Sequence, residues 1–390
     1  MQKAGKGMRI GIDVRYLSHG IVGGVHTYIH QFVPAVIDAA QCAGGHEIFL
    51  YADTKRPFEL DEKQLPAHVT LRKLRYRNPL SSVHLDLSMR DQMAQDKIDV
   101  AHFPANYGFG PARAKTIVTL HDSLTVLPLR QTLFSSGSRR TLRSAAMTVY
   151  LKTFSSAAVK RATLLFTVSE HARQDIAKQT GIAAERILPI PHAPTPDMRR
   201  IEDPAVLHDT RVRLELPGRF VLADGLKNPA VLVRAWRLLP EALRSQHKIV
   251  FFSRRPDPLP VIFEAVNEGI AQLLIRPSRE DLIALYSMAD AFVFPSWFEG
   301  FGIPVLEAMT CGAPVIASDR YSIPEVAGGA ALIADAEDEA GFAAHLTRVL
   351  ANPAEADRLR RLGHARAAQF SWEKTAQQIL KGYEMARDCA

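Results

Sequence analysis

Cysteine is scarce in this chain of 390 residues: Cys42, Cys311 and Cys389 are three, an odd number, scattered and without metal-ligand spacing. That pattern excludes a disulfide scaffold and a structural zinc site, and it points to a reducing, cytoplasmic setting. Long apolar runs are also lacking. None approaches the roughly 18 residues that a membrane-spanning helix needs, and Asp13 and Arg15 interrupt the segment after Met1–Arg9, so no signal-type core is expected there. The dinucleotide fingerprint Gly-x-Gly-x-x-Gly is missing, which argues against a dehydrogenase. Internal repeats, low-complexity tracts and nucleic-acid-binding motifs are missing too, and no nucleic-acid partner is expected.

Acidic residues are deficient in one half only. Residues 1–200 hold 27 Lys/Arg against 16 Asp/Glu, whereas residues 201–390 hold 21 against 25. The excess gathers at Arg72-Lys73-Leu74-Arg75-Tyr76-Arg77 and along Arg139, Arg140, Arg143, Lys152, Lys160 and Arg161. Between Leu133 and Ala162 these charges are interleaved with Phe134, Leu142, Met147, Tyr150, Leu151 and Phe154. Such a helix either lies against anionic headgroups or packs its apolar side on its own domain.

What is present is a globular composition, 47% hydrophobic and 23% charged, in a chain longer than a single core usually supports. Strand-like and helix-like patterns alternate in both halves, the mark of an α/β protein. Strands are predicted at Arg9–Val14, Glu47–Tyr51, Val69–Leu74, Val100–Phe103, Thr116–Leu120 and Leu164–Val168. The second half adds Phe220–Ala223, Lys248–Phe252, Leu273–Ile275, Ala291–Phe294, Pro314–Ala317 and Ala331–Ile333. A Gly-containing loop, Gly20 to Val25, joins the first strand to a helical pattern from His26 to Ile37. The stretch from Leu188 to Pro204 carries five prolines, cannot sustain a helix or a central strand, and reads as the linker between two sheets. A helix bearing Trp372, Ala376, Ile379, Leu380 and Tyr383 closes the pattern.

The most informative stretch is residues 299–319, together with the short strand that precedes it. Ala291–Phe294 is apolar without alternation, as in a strand buried on both faces, and it ends at Pro295. Gly300 and Gly302 permit a tight turn and close approach to a ligand, and Pro304 fits the first turn of the helix that follows. A helix N-terminus at the carboxyl end of a parallel strand attracts anions such as a diphosphate. Glu299 precedes that helix and Glu307 lies one turn inside it, so the two can accept hydrogen bonds from different hydroxyls of one ligand. Read in isolation the pair would be a capping Glu and a solvated one; the surrounding Gly/Pro and apolar pattern argues for a sugar nucleotide.

Pro295, Ser296, Glu299, Gly300, Phe301, Gly302, Pro304, Glu307 and Ala308, with Gly312, Pro314, Ser318, Asp319 and Pro324-Glu325-Val326, resemble the signature of the retaining glycosyltransferases of family four (group 1). The resemblance covers nearly the whole chain and implies the GT-B architecture: two Rossmann-like domains with mainly parallel sheets facing a cleft. Residues 1–198 would form the acceptor domain, 199–370 the nucleotide-sugar domain, and 371–390 a helix crossing back to the first. It implies that Glu307 binds ribose hydroxyls, that Glu299 holds the transferred sugar, and that the backbone of Phe301 and Gly302 lies near sugar and phosphate. His121, at a strand end with Asp122, would contact the sugar near the reacting carbon. Gly23 and Gly24 would lie near the donor phosphates, and Lys227 in Gly225-Leu226-Lys227-Asn228 would bind phosphate. Ser169 matches a helix start of the family and is equally well explained as a helix cap.

Two departures stand out. The family places an Arg shortly before the phosphate-binding Lys, where this chain has Leu226, and Ser253-Arg254-Arg255-Pro256 replaces the usual Val-Gly after a strand. Arg254, Arg255 or Arg276 is expected to supply the missing cation. The resemblance further implies a reaction without cofactor or metal, a nucleoside diphosphate sugar as donor with GDP-mannose the first choice, and a glycan or lipid-linked acceptor of surface-polysaccharide assembly. The basic N-terminal domain would then lie on the inner membrane. The competing readings are a UDP-sugar-dependent transferase, another enzyme of the same architecture such as an epimerase or an α-glucan phosphorylase, and a non-catalytic glycan-binding or scaffold subunit.

Overall fold

The computed structural model describes residues 7–20, 23–76, 82–124, 126 and 142–389, with side chains withheld at 82–83 and 142–151. Arg77, Phe134, Arg139 and Arg140 therefore lie outside the described residues, as do the side chains of Leu142, Arg143, Met147, Tyr150 and Leu151. The chain forms two compact units, Met1–His192 together with Trp372–Ala390, and Ala193–Ser371.

The first unit runs β1 (Arg9–Asp13), α1 (Tyr16–His19), α2 (Gly24–Ala43), β2 (Glu47–Asp53), β3 (Val69–Leu74), α3 (Ser82–Gln95), β4 (Val100–Phe103) and β5 (Lys115–Thr119). It continues with α4 (Leu142–Arg161), β6 (Leu164–Thr167), α5 (Glu170–Thr180) and β7 (Ile187–Pro189). Its sheet is parallel throughout, in the order β3-β2-β1-β4-β5-β6-β7. The central strands are apolar on both faces because helices cover both, which is why they read as uninterrupted hydrophobic runs.

In the second unit α6 (Pro204–Arg213), β8 (Phe220–Asp224), α7 (Pro229–Leu238), α8 (Glu241–Arg244), β9 (Lys248–Ser253), α9 (Pro260–Asn267), β10 (Ala271–Ile275) and α10 (Arg279–Met288) come first. Then follow β11 (Ala291–Phe294), α11 (Ile303–Thr310), β12 (Val315–Ser318), α12 (Ile323–Ala327), β13 (Ala331–Ala334), α13 (Glu339–Ala351) and α14 (Pro353–Ala367). The sheet order β10-β9-β8-β11-β12-β13 repeats that of the first unit. In both sheets the order reverses once, between β1 and β4 and between β8 and β11, and ligands of such folds bind beyond the carboxyl ends of the strands at that point.

The chain ends in α15 (Trp372–Asp388), which belongs to the first unit. Trp372, Ala376, Ile379, Leu380 and Tyr383 recur at helical spacing and are buried, each large apolar one contributing about 1.5–3 kcal/mol by leaving water. Tyr383 Oη lies 2.7 Å from His102 Nδ1, and Thr375 Oγ1 donates to the Pro191 carbonyl at 2.7 Å. Gly382 lets the helix approach closely: a Cβ there would stand 2.5 Å from the Phe166 ring.

Two boundaries differ from expectation. Leu188 and Pro189 are not linker but part of β7, an edge strand, where a proline without an N–H interrupts no second ladder. The helix expected over His26–Ile37 instead starts at Gly24 and runs to Ala43 through Pro34. Tertiary packing of its buried face, Tyr28, Ile29, Phe32, Val33, Val36 and Ile37, carries it past that proline. In α4 the described half turns Lys152, Ser155, Ala158 and Val159 inward. Among the described residues no helix is long and apolar enough to cross a membrane.

Candidate active site

The second unit assembles its site from the loops that follow β8 and β11, the two strands at the reversal point. After β8, the Asp224 carboxylate accepts from Leu226 N–H at 2.8 Å and the Asp224 carbonyl accepts from Lys227 N–H at 3.1 Å, closing the turn that carries Lys227. Asn228 sits in the left-handed region (φ 51°) and caps this turn by donating its amide to the Pro295 and Ala336 carbonyls at 3.0 and 2.8 Å. One side chain thereby ties together the loops after β8, β11 and β13. The result places Lys227 Nζ 2.6 Å from Glu299 Oε1.

Hydroxyls fix the Glu299 loop. Ser296 Oγ donates to Glu299 Oε1 at 2.8 Å, Ser318 Oγ donates to the Ser296 carbonyl at 2.7 Å, and Ser322 Oγ lies 3.1 and 2.9 Å from the carbonyls of Glu299 and Phe301. Gly302 then adopts φ 99°, a conformation that favours glycine, and opens α11 with no side chain capping it. Glu299 is thus not a helix cap. Pro304 has no N–H and Val305 N–H donates to the Gly302 carbonyl at 3.0 Å, so the N–H groups of Gly302 and Ile303, which make no hydrogen bond among the described residues, are the donors this helix start offers a ligand. The Phe301 side chain is buried against Phe370, so only its backbone is presented.

Glu307 is 7% exposed, and burial pushes its carboxyl above the ordinary range, opposed chiefly by Arg279, whose Nη1 lies 3.2 Å away. Arg279 is itself held by Asp197, Nε to Oδ2 at 2.9 Å. Asp224 is likewise pushed upward by burial, with Lys227 and Arg254 opposing. Of the three candidate cations, Arg255 is engaged by Asp257 at 2.8 Å and Arg276 donates Nε to the Arg254 carbonyl at 3.0 Å. Arg254 is exposed, its guanidinium makes no hydrogen bond or ion pair among the described residues, and its charge is felt at both Asp224 and Glu307. Arg279 and Asp197 escaped the sequence reading: Arg279 stands in Ser278-Arg279-Glu280-Asp281, whose visible signal is a helix capping box.

The first unit presents a second group of residues. His121 follows β5; its Nε2–H donates to the Pro104 carbonyl at 2.9 Å, which fixes the tautomer and leaves Nδ1 as an acceptor. Its backbone N–H donates to Asn106 Oδ1 at 3.0 Å, and Asn106 holds that position in the left-handed region at φ 68°. Dense packing against Tyr28 and His192 lowers the His121 pKa to about 4, so it is neutral at physiological pH. Gly23 precedes α2 and Gly24 begins it; residues 21 and 22 of that loop lie outside the described residues. Ser169 caps α5, accepting from Ala172 N–H at 3.0 Å.

Residues 22–197 match the model of Glycosyltransferase Family 4, and residues 218–366 match that of Glycosyl transferases group 1. The chain belongs to this glycosyltransferase family. Among its relatives, the O-antigen chain mannosyltransferase B of Escherichia coli is 34% identical over 233 residues, 57% of this chain and 61% of that protein. The serotype-specific mannosyltransferase WbdA of Escherichia coli is 30% identical over 280 residues, 69% of this chain but 33% of that protein. The match thus spans less than two thirds of either relative. Among solved structures, sucrose-phosphate synthase from Thermosynechococcus elongatus superposes with a TM-score of 0.70 at 20% identity, covering 97% of this chain and 98% of that one. WaaG, a glycosyltransferase involved in lipopolysaccharide biosynthesis, gives 0.67 at 16% identity, covering 97% and 100%. These likenesses establish the GT-B fold.

Proposed function

We propose that this protein is a retaining glycosyltransferase that moves mannose from GDP-mannose to a hydroxyl of a glycan or lipid-linked acceptor in surface-polysaccharide assembly. The observation that carries the reading is the contact between Lys227 and Glu299 at the open N-terminus of α11, with Glu307 buried one turn inside. A cation and free N–H groups suit the departing diphosphate, and two carboxylates suit sugar and ribose hydroxyls. The mannosyltransferase relatives support the choice of sugar.

In this mechanism the bond from the anomeric carbon to the diphosphate oxygen breaks while Lys227 and the α11 N-terminus stabilise the charge that develops on the leaving group. Such preorganised electrostatics form the main catalytic contribution. Arg254 supplies the second cation of the clamp. The acceptor oxygen bonds to the anomeric carbon on the face the diphosphate leaves, and its proton passes to the departing phosphate oxygen. His121 Nδ1 accepts a hydrogen bond from a hydroxyl of the transferred sugar. No metal or cofactor takes part, and the reaction takes place on the cytoplasmic face of the inner membrane, in keeping with the basic excess of residues 1–200.

Calorimetric titration with GDP, UDP and ADP, without metal and then with Mg²⁺, tests donor recognition, and incubation with labelled GDP-mannose and a mannose-terminated acceptor tests transfer. Metal-free GDP binding that the Glu307→Ala variant loses, with an α-linked product, is expected. Binding to none of the three nucleotides would replace the reading by a non-catalytic scaffold, and a β-linked product would overturn retention.

A further inference from the structure

The crossover from β4 to β5 contains no helix. Residues 104–114 make it as a loop, whereas the crossovers into β4 and from β5 are made with α3 and α4. Right-handed crossovers that step the same way along a sheet lie on the same face, so the loop runs between α3 and α4 where a third helix of about 10–12 Å diameter would otherwise sit. Glycines press it flat: a Cβ on Gly108 would stand 2.0 Å from the Phe103 ring, and one on Gly110 2.5 Å from Thr116 Oγ1. Above the flattened loop lies a pocket of about 730 Å³, flanked by Asp86 to Ala94 of α3 and Phe154 to Arg161 of α4. That volume is within the range of small-molecule sites.

The lining decides the chemistry. Leu87, 46% exposed, and the Phe109 and Phe154 rings, with centroids 5.9 Å apart, form an apolar wall. The carboxylates are already engaged, Asp86 with Arg15 at 2.7 Å and Asp91 with Arg90 at 3.1 Å, which leaves little to satisfy the hydroxyls of a sugar. Arg161, exposed at the last turn of α4, makes no hydrogen bond or ion pair among the described residues. Among the described residues it is the lining's uncompensated charge. Arg161 stands just before the start of β6, whereas His121 follows the end of β5, so this end of the pocket is at the opposite edge of the sheet from His121.

We propose that this pocket binds a single-chain anionic amphiphile, an acyl or isoprenoid chain lying between α3 and α4 with a terminal phosphate or carboxylate on Arg161. The site does not depend on the donor reading, and it would hold a lipid chain away from the expected chemistry. Calorimetry with dodecyl phosphate below its micelle concentration, against dodecyl maltoside and inorganic phosphate, tests it. Saturable binding of dodecyl phosphate is expected, with an affinity about tenfold weaker in Arg161→Gln and lost in Ala94→Phe or Ala112→Phe, which fill the pocket from exposed positions. Thermal melts of these variants should match the parent. Co-sedimentation with phosphatidylglycerol vesicles distinguishes the source: retention that Ala94→Phe abolishes assigns the chain to the bilayer, and unchanged retention assigns it to a monomeric carrier. No binding, equal binding of dodecyl maltoside, or indifference to Arg161→Gln would overturn the proposal, whether or not GDP binds.

Discussion

Lys227 and Glu299 form an ion pair of 2.6 Å although they stand on loops after different strands. In a transferase this pair is a resting contact that a diphosphate must share or replace. Lys227→Ala should therefore weaken GDP binding about ten- to a hundredfold, the value of a charge-assisted hydrogen bond, while guanosine binding stays unchanged. Glu299→Gln should leave GDP affinity within a few fold and lower kcat with GDP-mannose. Calorimetry and initial rates on the two variants check both; equal loss of guanosine and GDP binding in Lys227→Ala would assign that lysine a purely structural role.

Glu307 and Arg279 separate binding from stability. Glu307→Gln keeps the volume and relieves a buried carboxylate whose pKa is already raised by burial, so the melting temperature should fall little while metal-free nucleotide affinity drops at least tenfold. Arg279→Ala leaves that carboxylate buried and unpaired. Because Arg279 is about one third exposed, solvent screening discounts the cost of a fully buried broken pair to about 1–2 kcal/mol. Chemical denaturation of both variants measures the difference.

Asn106 is a positioning residue for His121. Asn106→Gly and Asn106→Ala both remove the amide oxygen that receives His121 N–H, but only alanine also bears the cost of the left-handed conformation, about 1–2 kcal/mol. Stability should fall in the order parent, Asn106→Gly, Asn106→Ala, and both variants should lower kcat with GDP affinity unchanged. Asn106→Asp, which retains an acceptor, should recover most of the rate.

Histidines packed within the first unit, His102, His121 and His192 foremost, make it sensitive to acid. Burial lowers His102 to about 3 and His121 to about 4, and it pushes His192 well down. The unfolded chain therefore binds protons first, and the stability present above about pH 6.5 is lost as pH falls toward 4, by up to about 1.4 kcal/mol per pH unit for each histidine. In the second unit Glu307 and Asp224 have raised values and contribute with the opposite sign, since the folded state takes up their protons first. Hydrogen exchange at pH 7.5 and 5.5 should show protection lost from β4, β5 and α15 before β8 and β11; simultaneous loss would refute the assignment.

The strands were legible in the sequence because burial on both faces removes alternation, and all twelve expected ones are present with ends shifted by at most two residues. The Glu299–Glu307 spacing was legible for a similar reason: Gly302 and Pro304 mark the turn and the helix start. The remainder depended on tertiary contacts. Arg254, Arg255 and Arg276 are equivalent on paper, and the contacts that distinguish them, Asp257 at Arg255 and the Arg254 carbonyl at Arg276, exist only in the folded chain. Pro189 is incompatible with a central strand, and that its strand lies at a sheet edge is a property of strand order, which the local sequence does not show. Arg279 was hidden because its partners Asp197 and Glu307 are distant in sequence.

The chain leaves the first unit at His192 and returns to it at Trp372. Synthesis runs in the same direction, so the whole of the second unit can emerge and fold while His102 and Phe166 still await Tyr383 and Gly382. The part made first is therefore completed last. A nonsense codon just before Trp372 would spare every strand of both sheets yet strip the apolar cover from the older one, turning a product that holds both sheets into a substrate for chaperones and proteases.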